Sequence, residues 1–181
     1  MPTDDANKFL RSINCEELDA SEMETKLQLV LAKIQEWRAR DKYAWFSVLR
    51  DGPIVVGIVA MTKQMREHAN LFSDCLFMDS IHGVSAKHLH MVSFTVADNK
   101  GHTQATLHAV VMHEGKDVWQ WCMQEYRDAA MSQDGKWARE PQVIMSDNDS
   151  GIRAAAKAVW PDACAIVCWW HFRRNLTFLF K

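Results

Sequence analysis

The run Cys75-Leu76-Phe77-Met78-Asp79 and its later counterpart Val143-Ile144-Met145-Ser146-Asp147 decide how this chain folds. Each is a short, nearly unbroken apolar stretch, the pattern of a strand buried within a sheet, and each closes on an aspartate. Neighbouring strands stand about 4.8 Å apart. If the two runs lie side by side and parallel, their terminal carboxylates can clamp divalent cations roughly 3.5–4 Å apart, as two-metal phosphoryl transfer requires. A lone aspartate at a strand end is more often a turn former or helix cap, so the surrounding elements must carry the reading.

Upstream of Cys75, apolar residues from Met23 to Trp37 recur at helical spacing and predict a helix over 21–40 behind a polar lead-in. Tyr43–Leu49 and Ile54–Met61 flank Arg50-Asp51-Gly52-Pro53, whose turn residues predict a hairpin. A short helix over Lys63–Leu71 follows. Three strands are then expected over 74–79, 89–97 and 103–112, separated by Gly83 and by Asp98-Asn99-Lys100-Gly101. After Gly115 the period changes: Val118, Trp119, Cys122, Met123 and Tyr126 mark an amphipathic helix to Met131. A polar loop leads to the Val143 strand. Asp149 or Ser150 can cap a helix that must stop at Trp160, because Pro161 disfavours helix in the residue before it. A strand over 163–168 and a last helix complete the order.

The composition fits one modest domain. The 181 residues, 48% apolar and 24% charged, suffice to bury a core and fall short of two full domains. No apolar run approaches the roughly 18 residues of a membrane span, and the acidic, polar start is no signal peptide, so an intracellular protein without membrane contact is expected. Five cysteines without framework-like spacing suit a reducing compartment. The net charge of −2 lacks the bulk positive field of a stand-alone DNA binder, which leaves any nucleic-acid contact to a local patch or to sequence outside this chain.

Short connections make the first three core strands an antiparallel meander, and the helical crossovers make the later strands parallel additions. This order suits an α/β fold with a ribonuclease H-like mixed sheet. By analogy with that sheet, the strands ending at Asp79 and Asp147 are parallel neighbours; sequence alone does not choose strand neighbours.

Three blocks carry a family resemblance. Residues 77–83 (Phe-Met-Asp-Ser-Ile-His-Gly), 94–101 (Phe-Thr-Val-Ala-Asp-Asn-Lys-Gly) and 109–114 (Ala-Val-Val-Met-His-Glu) resemble the start of a Mutator-like element (MULE) transposase domain. Residues 143–149, 154–163 and 168–175 resemble, in order, that family's second-aspartate and Cys-x-x-His blocks. The resemblance spans roughly 43–176, and divides the chain into an N-terminal helical lead-in, 1–42, and a core, 43–181. It implies a nuclear cut-and-paste DNA transposase acting on transposon ends, with an Asp-Asp-Glu triad binding Mg²⁺ or Mn²⁺ and self-association within reach. Asp79 and Asp147 match the first two acids as catalytic and metal-binding residues. In that scheme one ion activates a water or the freed 3′-hydroxyl and the other stabilises the leaving oxygen.

One part of the family pattern is missing. The third acid is a glutamate expected beyond the Cys-x-x-His block, yet residues 169–181 contain no Asp or Glu, so the core is expected to be truncated at its C-terminus. Glu114 stands too early in the order to be that residue. The alternative is a domesticated or decayed derivative acting as a DNA- or protein-interaction module. Cys168 and His171 have half of a zinc-site spacing without a second matching pair, which favours a structural or substrate-side role over zinc. His82, His88, His90, His102, His108 and His113 read as surface residues of the meander. Arg173, Arg174 and Lys181 form a small basic patch able to touch phosphate. Trp119, Trp121, Trp169 and Trp170 are expected in the core.

Overall fold

The computed structural model describes residues 32–82, 89–131 and 139–179. The expected N-terminal helix is present as α1 over residues 32–40; its predicted start, and the rest of the lead-in, lie outside the described residues. There follow β1 (Trp45–Asp51), β2 (Ile54–Met61), α2 (Lys63–Leu71), β3 (Cys75–Ile81), β4 (His90–Ala97), β5 (Thr103–Val111), α3 (Lys116–Met131), β6 (Val143–Ser146), α4 (Ser150–Val159), β7 (Cys164–Val167) and α5 (Trp169–Leu179).

All seven strands form one mixed sheet in the order β1-β2-β5-β4-β3-β6-β7. The meander β3, β4, β5 is antiparallel, while β6 joins β3 and β7 joins β6 in parallel, each after a helical crossover. This five-strand arrangement is the expected ribonuclease H-like sheet. The hairpin β1–β2 turns at Gly52, whose positive φ of 56° suits a residue without a side chain, and adds to the free edge of β5.

Alternation along the strands builds the core. Leu76 and Met78 of β3, Val92, Phe94 and Val96 of β4, and Leu107, Ala109 and Val111 of β5 are buried against one layer of helices. From α3 come Val118, Trp119, Cys122, Met123 and Tyr126; from α4 come Ile152, Ala155, Ala156 and Val159. Trp119 stacks on Phe94 with ring centroids 6.3 Å apart and planes 1° from parallel. Burial of such side chains stabilises by about 1.5–3 kcal/mol each, before the entropy cost of ordering the chain. Thr106 sits where the β4–β5 register slips, and its hydroxyl donates to Phe94 O at 3.0 Å, so the buried bulge leaves that group satisfied.

Two polar anchors lock the periphery to this core. The buried Arg66 of α2 donates to Ala129 O, near the end of α3, at 2.9 Å, and to Tyr43 O. Glu125 of α3 accepts from Trp45 Nε1 (2.8 Å) and Ser47 Oγ (2.6 Å) of β1 and from Trp121 Nε1 (3.1 Å). Trp119 and Trp121 thus pack as expected, the second partly buried. Trp169 and Trp170 do not: they are 68% and 59% exposed. They sit on α5 beyond the last strand, where Trp169 meets Phe172 and Trp170 lies under Arg174 rather than against the sheet.

Candidate metal and nucleic-acid site

The β3–β6 register pairs Cys75 with Val143, Leu76 with Ile144 and Phe77 with Met145. Continued by two residues, it sets Asp79, within β3, opposite Asp147, the residue after β6. Both fall on the alternation shared by Phe77 and Met145, away from the buried face of Leu76, Met78 and Ile144. The strands that lead to them are hydrogen-bonded neighbours up to Phe77 and Met145, at the usual strand spacing of about 4.8 Å.

Local hydrogen bonds orient each carboxylate. Asp79 Oδ1 accepts the Ser80 amide at 2.9 Å; Asp147 Oδ1 accepts the Asp149 amide at 3.1 Å. Asp149 is itself the cap of α4, accepting from the amides of Gly151 (2.7 Å) and Ile152 (3.0 Å), so it is engaged with the helix. Neither Asp79 nor Asp147 pairs with a lysine or arginine among the described residues, and Asp79 is 64% exposed. Hard oxygen donors that are oriented, unneutralised and open to solvent fit Mg²⁺ or Mn²⁺.

The Cys-x-x-His segment delivers a histidine to the same place. The Cys168 amide donates to Ser146 O at 2.6 Å and the Phe172 amide to Cys168 O at 3.0 Å, so α5 begins against the end of β6. One turn later His171 Nε2 lies 3.9 Å from Asp79 Oδ1, while its Nδ1 is buried without a hydrogen-bond partner. Neither Cys168 nor His171 belongs to a three-ligand cluster among the described residues.

A second constellation forms nearby. His82, just past β3, and His90, the first residue of β4, face each other because Ile81 pairs with Met91 in that ladder. Their Nδ1 atoms are 2.9 Å apart. Glu114, between β5 and α3, places Oε1 3.2 Å from His90 Nδ1 and Oε2 3.7 Å from His82 Nε2. Among the described residues this is the one set that brings three ligand atoms within 4.8 Å of one another. Sequence reasoning missed it, taking the histidines for surface residues; the signal lay in the β3–β4 register, which places the two rings together. Other histidines sort differently: His108 is half-buried, burial lowers its pKa, and its Nδ1 lies 3.0 Å from Ser93 Oγ.

No helix among the described residues is long and apolar enough to cross a membrane. No curated protein matches the chain. The sequence profile of the MULE transposase domain does match, over residues 75–175. That interval runs from the first residue of β3, through both aspartates, to the turn of α5 that carries His171. The match covers more than half of the chain and the sheet order agrees with it, so this chain belongs to the MULE transposase domain family, with the transposase-type function that membership entails.

Proposed function

We propose that this domain is the catalytic core of a cut-and-paste DNA transposase, working on transposon ends in the nucleus by divalent-metal-dependent phosphodiester hydrolysis and strand transfer. The observation that supports the reading is the parallel β3–β6 register, whose last pair, Phe77 with Met145, stands two residues before Asp79 and Asp147. Mg²⁺ or Mn²⁺, when bound, supplies the activated water or 3′-hydroxyl and charge for the leaving oxygen. The chain's part is to hold the two carboxylates at strand spacing, each steadied by a backbone amide. His171, beside Asp79, can donate from Nε2 to a phosphate oxygen, which is the substrate-side role proposed for the Cys168–His171 motif. Arg173 and Arg174, exposed on the same helix, add positive charge for the DNA backbone.

Thermal denaturation with Mn²⁺ tests the site. At a concentration about a hundred times Kd, a ligand that binds only the folded state stabilises by about 2.7 kcal/mol. For a chain of this length that raises the midpoint by roughly 5–10 °C. The double variant Asp79→Asn/Asp147→Asn should lose the shift; an undiminished shift would falsify the assignment. A second reading, a non-catalytic derivative serving as a DNA- or protein-interaction module, is favoured by one observation: the single three-ligand set among the described residues contains neither aspartate. It predicts no Mn²⁺ shift attributable to them.

A further inference from the structure

We infer that His82, His90 and Glu114 form a binding site for a zinc-class divalent ion, separate from the aspartate pair. Two imidazoles and one carboxylate select borderline ions such as Zn²⁺ or Co²⁺ over Mg²⁺. In a tetrahedral zinc site with bonds of about 2.0–2.1 Å, ligand atoms stand roughly 3.3 Å from one another. The observed separations of 2.9 Å between the histidine Nδ1 atoms and 3.2 Å from His90 Nδ1 to Glu114 Oε1 both lie slightly below that value, close enough for small side-chain rotations to seat an ion.

The hydrogen bonding points the same way. Glu114 Oε1 is buried and accepts no hydrogen bond, although His90 Nδ1 is beside it. A buried carboxylate oxygen without a donor is costly, and a cation lying between the oxygen and the two rings would satisfy all three groups at once. The three residues come from three neighbouring parts of the sheet: the end of β3, the start of β4 and the segment joining β5 to α3. An ion there would pin the meander to the start of α3. With three protein ligands and His82 68% exposed, a fourth position remains open to water or to a donor from a partner molecule.

This ion would not be one of the catalytic pair. His82 follows Asp79 by three residues, which places it roughly 10 Å along the chain at about 3.3 Å per residue. Strand alternation also turns Asp79 and the histidines to opposite faces: His90 shares the parity of the buried Val92 and Phe94.

Titration of the full chain with Co²⁺, read by its visible d–d absorption, and with Zn²⁺ by calorimetry tests the inference. One equivalent should bind. His90→Ala and Glu114→Gln should each weaken binding at least about a hundredfold, since a direct ligand matters no less than the outer-shell groups whose loss costs up to about that much. His82→Ala, at an exposed position, serves as the variant least able to disturb folding. Asp79→Asn/Asp147→Asn and Cys168→Ser should leave the stoichiometry and affinity unchanged. Retention of tight binding in His82→Ala and His90→Ala, its loss in the aspartate or cysteine variant, or no binding by the folded wild type would each overturn the site. Because the aspartate variant is expected to keep this ion, the result is independent of the transposase mechanism.

Discussion

Removing the Glu125 carboxylate should loosen the β1–β2 hairpin from the rest of the sheet. Glu125 accepts three side-chain hydrogen bonds, two from β1 and one from its own helix neighbour Trp121. A hydrogen bond to a charged group is worth about 1.5–3 kcal/mol, but these donors are partly buried and recover some water when the acceptor goes. Glu125→Ala should therefore cost about 3 kcal/mol, less than three separate bonds would sum to. Trp121 gives an independent handle. A methyl group at Gly57 would lie 2.8 Å from Trp121 Cζ3 and 3.2 Å from Val111 Cγ1, so Gly57→Ala must push the indole aside. Such overpacking costs about 1–3 kcal/mol. Both changes act through the same indole, so the double variant should be less destabilised than the sum of the singles by about 1 kcal/mol. Urea unfolding at neutral pH measures all four proteins, with equal m-values as the condition for comparison. A loss below about 1 kcal/mol in Glu125→Ala, or strict additivity with Gly57→Ala, would refute the reasoning.

Two further outcomes follow from groups at the margins of the core. Arg66→Met should destabilise by about 3 kcal/mol, because Ala129 O and Tyr43 O lose a charged donor and α2 loses its anchor, and urea unfolding reads this directly. Asp98 organises the β4–β5 turn, and its pKa is held down to about 2 from 3.8, chiefly by the Gln104 hydrogen bond and then by the His102 amide. A depressed carboxyl stabilises the fold above the unfolded value and loses that contribution as pH falls through the folded one. The advantage of wild type over Asp98→Asn should therefore be complete above about pH 4 and fade toward pH 2, which acid titration of both proteins by circular dichroism will show; a constant difference would exclude it.

Local pattern was enough for most elements, and it singled out two candidate site residues. The Asp-Gly turn predicts the hairpin, Lys63–Leu71 is a helix as its spacing implies, and Asp149 caps α4 as a short polar side chain before a helix should. The two aspartates stood out because each ends an apolar run. What the sequence left open were relations between distant segments. Nothing local tells β2 to pair with β5, three strands later in the chain, or His171 to meet Asp79 across the sheet. His82 and His90 become partners only once Ile81 is matched with Met91. Trp169 and Trp170 misled for a related reason: apolar residues signal burial, but a helix after the last strand of a sheet has a neighbour on one side only.

The two margins of the sheet are finished differently. At β1, α1 lies alongside: Trp37 packs on Phe46 and Arg38 Nη2 donates to Phe46 O at 3.2 Å, occupying backbone that a foreign strand would need. At the other margin, all four residues of β7 are exposed, and Ile166 and Val167 present apolar side chains beside a backbone row that no strand pairs among the described residues. Among the described residues, β7 is therefore the margin that offers its backbone most openly to a further strand. A strand that added there would meet a row of exposed, partly apolar side chains, with the parallel β6 on the far side of β7, the setting in which an edge strand is least protected.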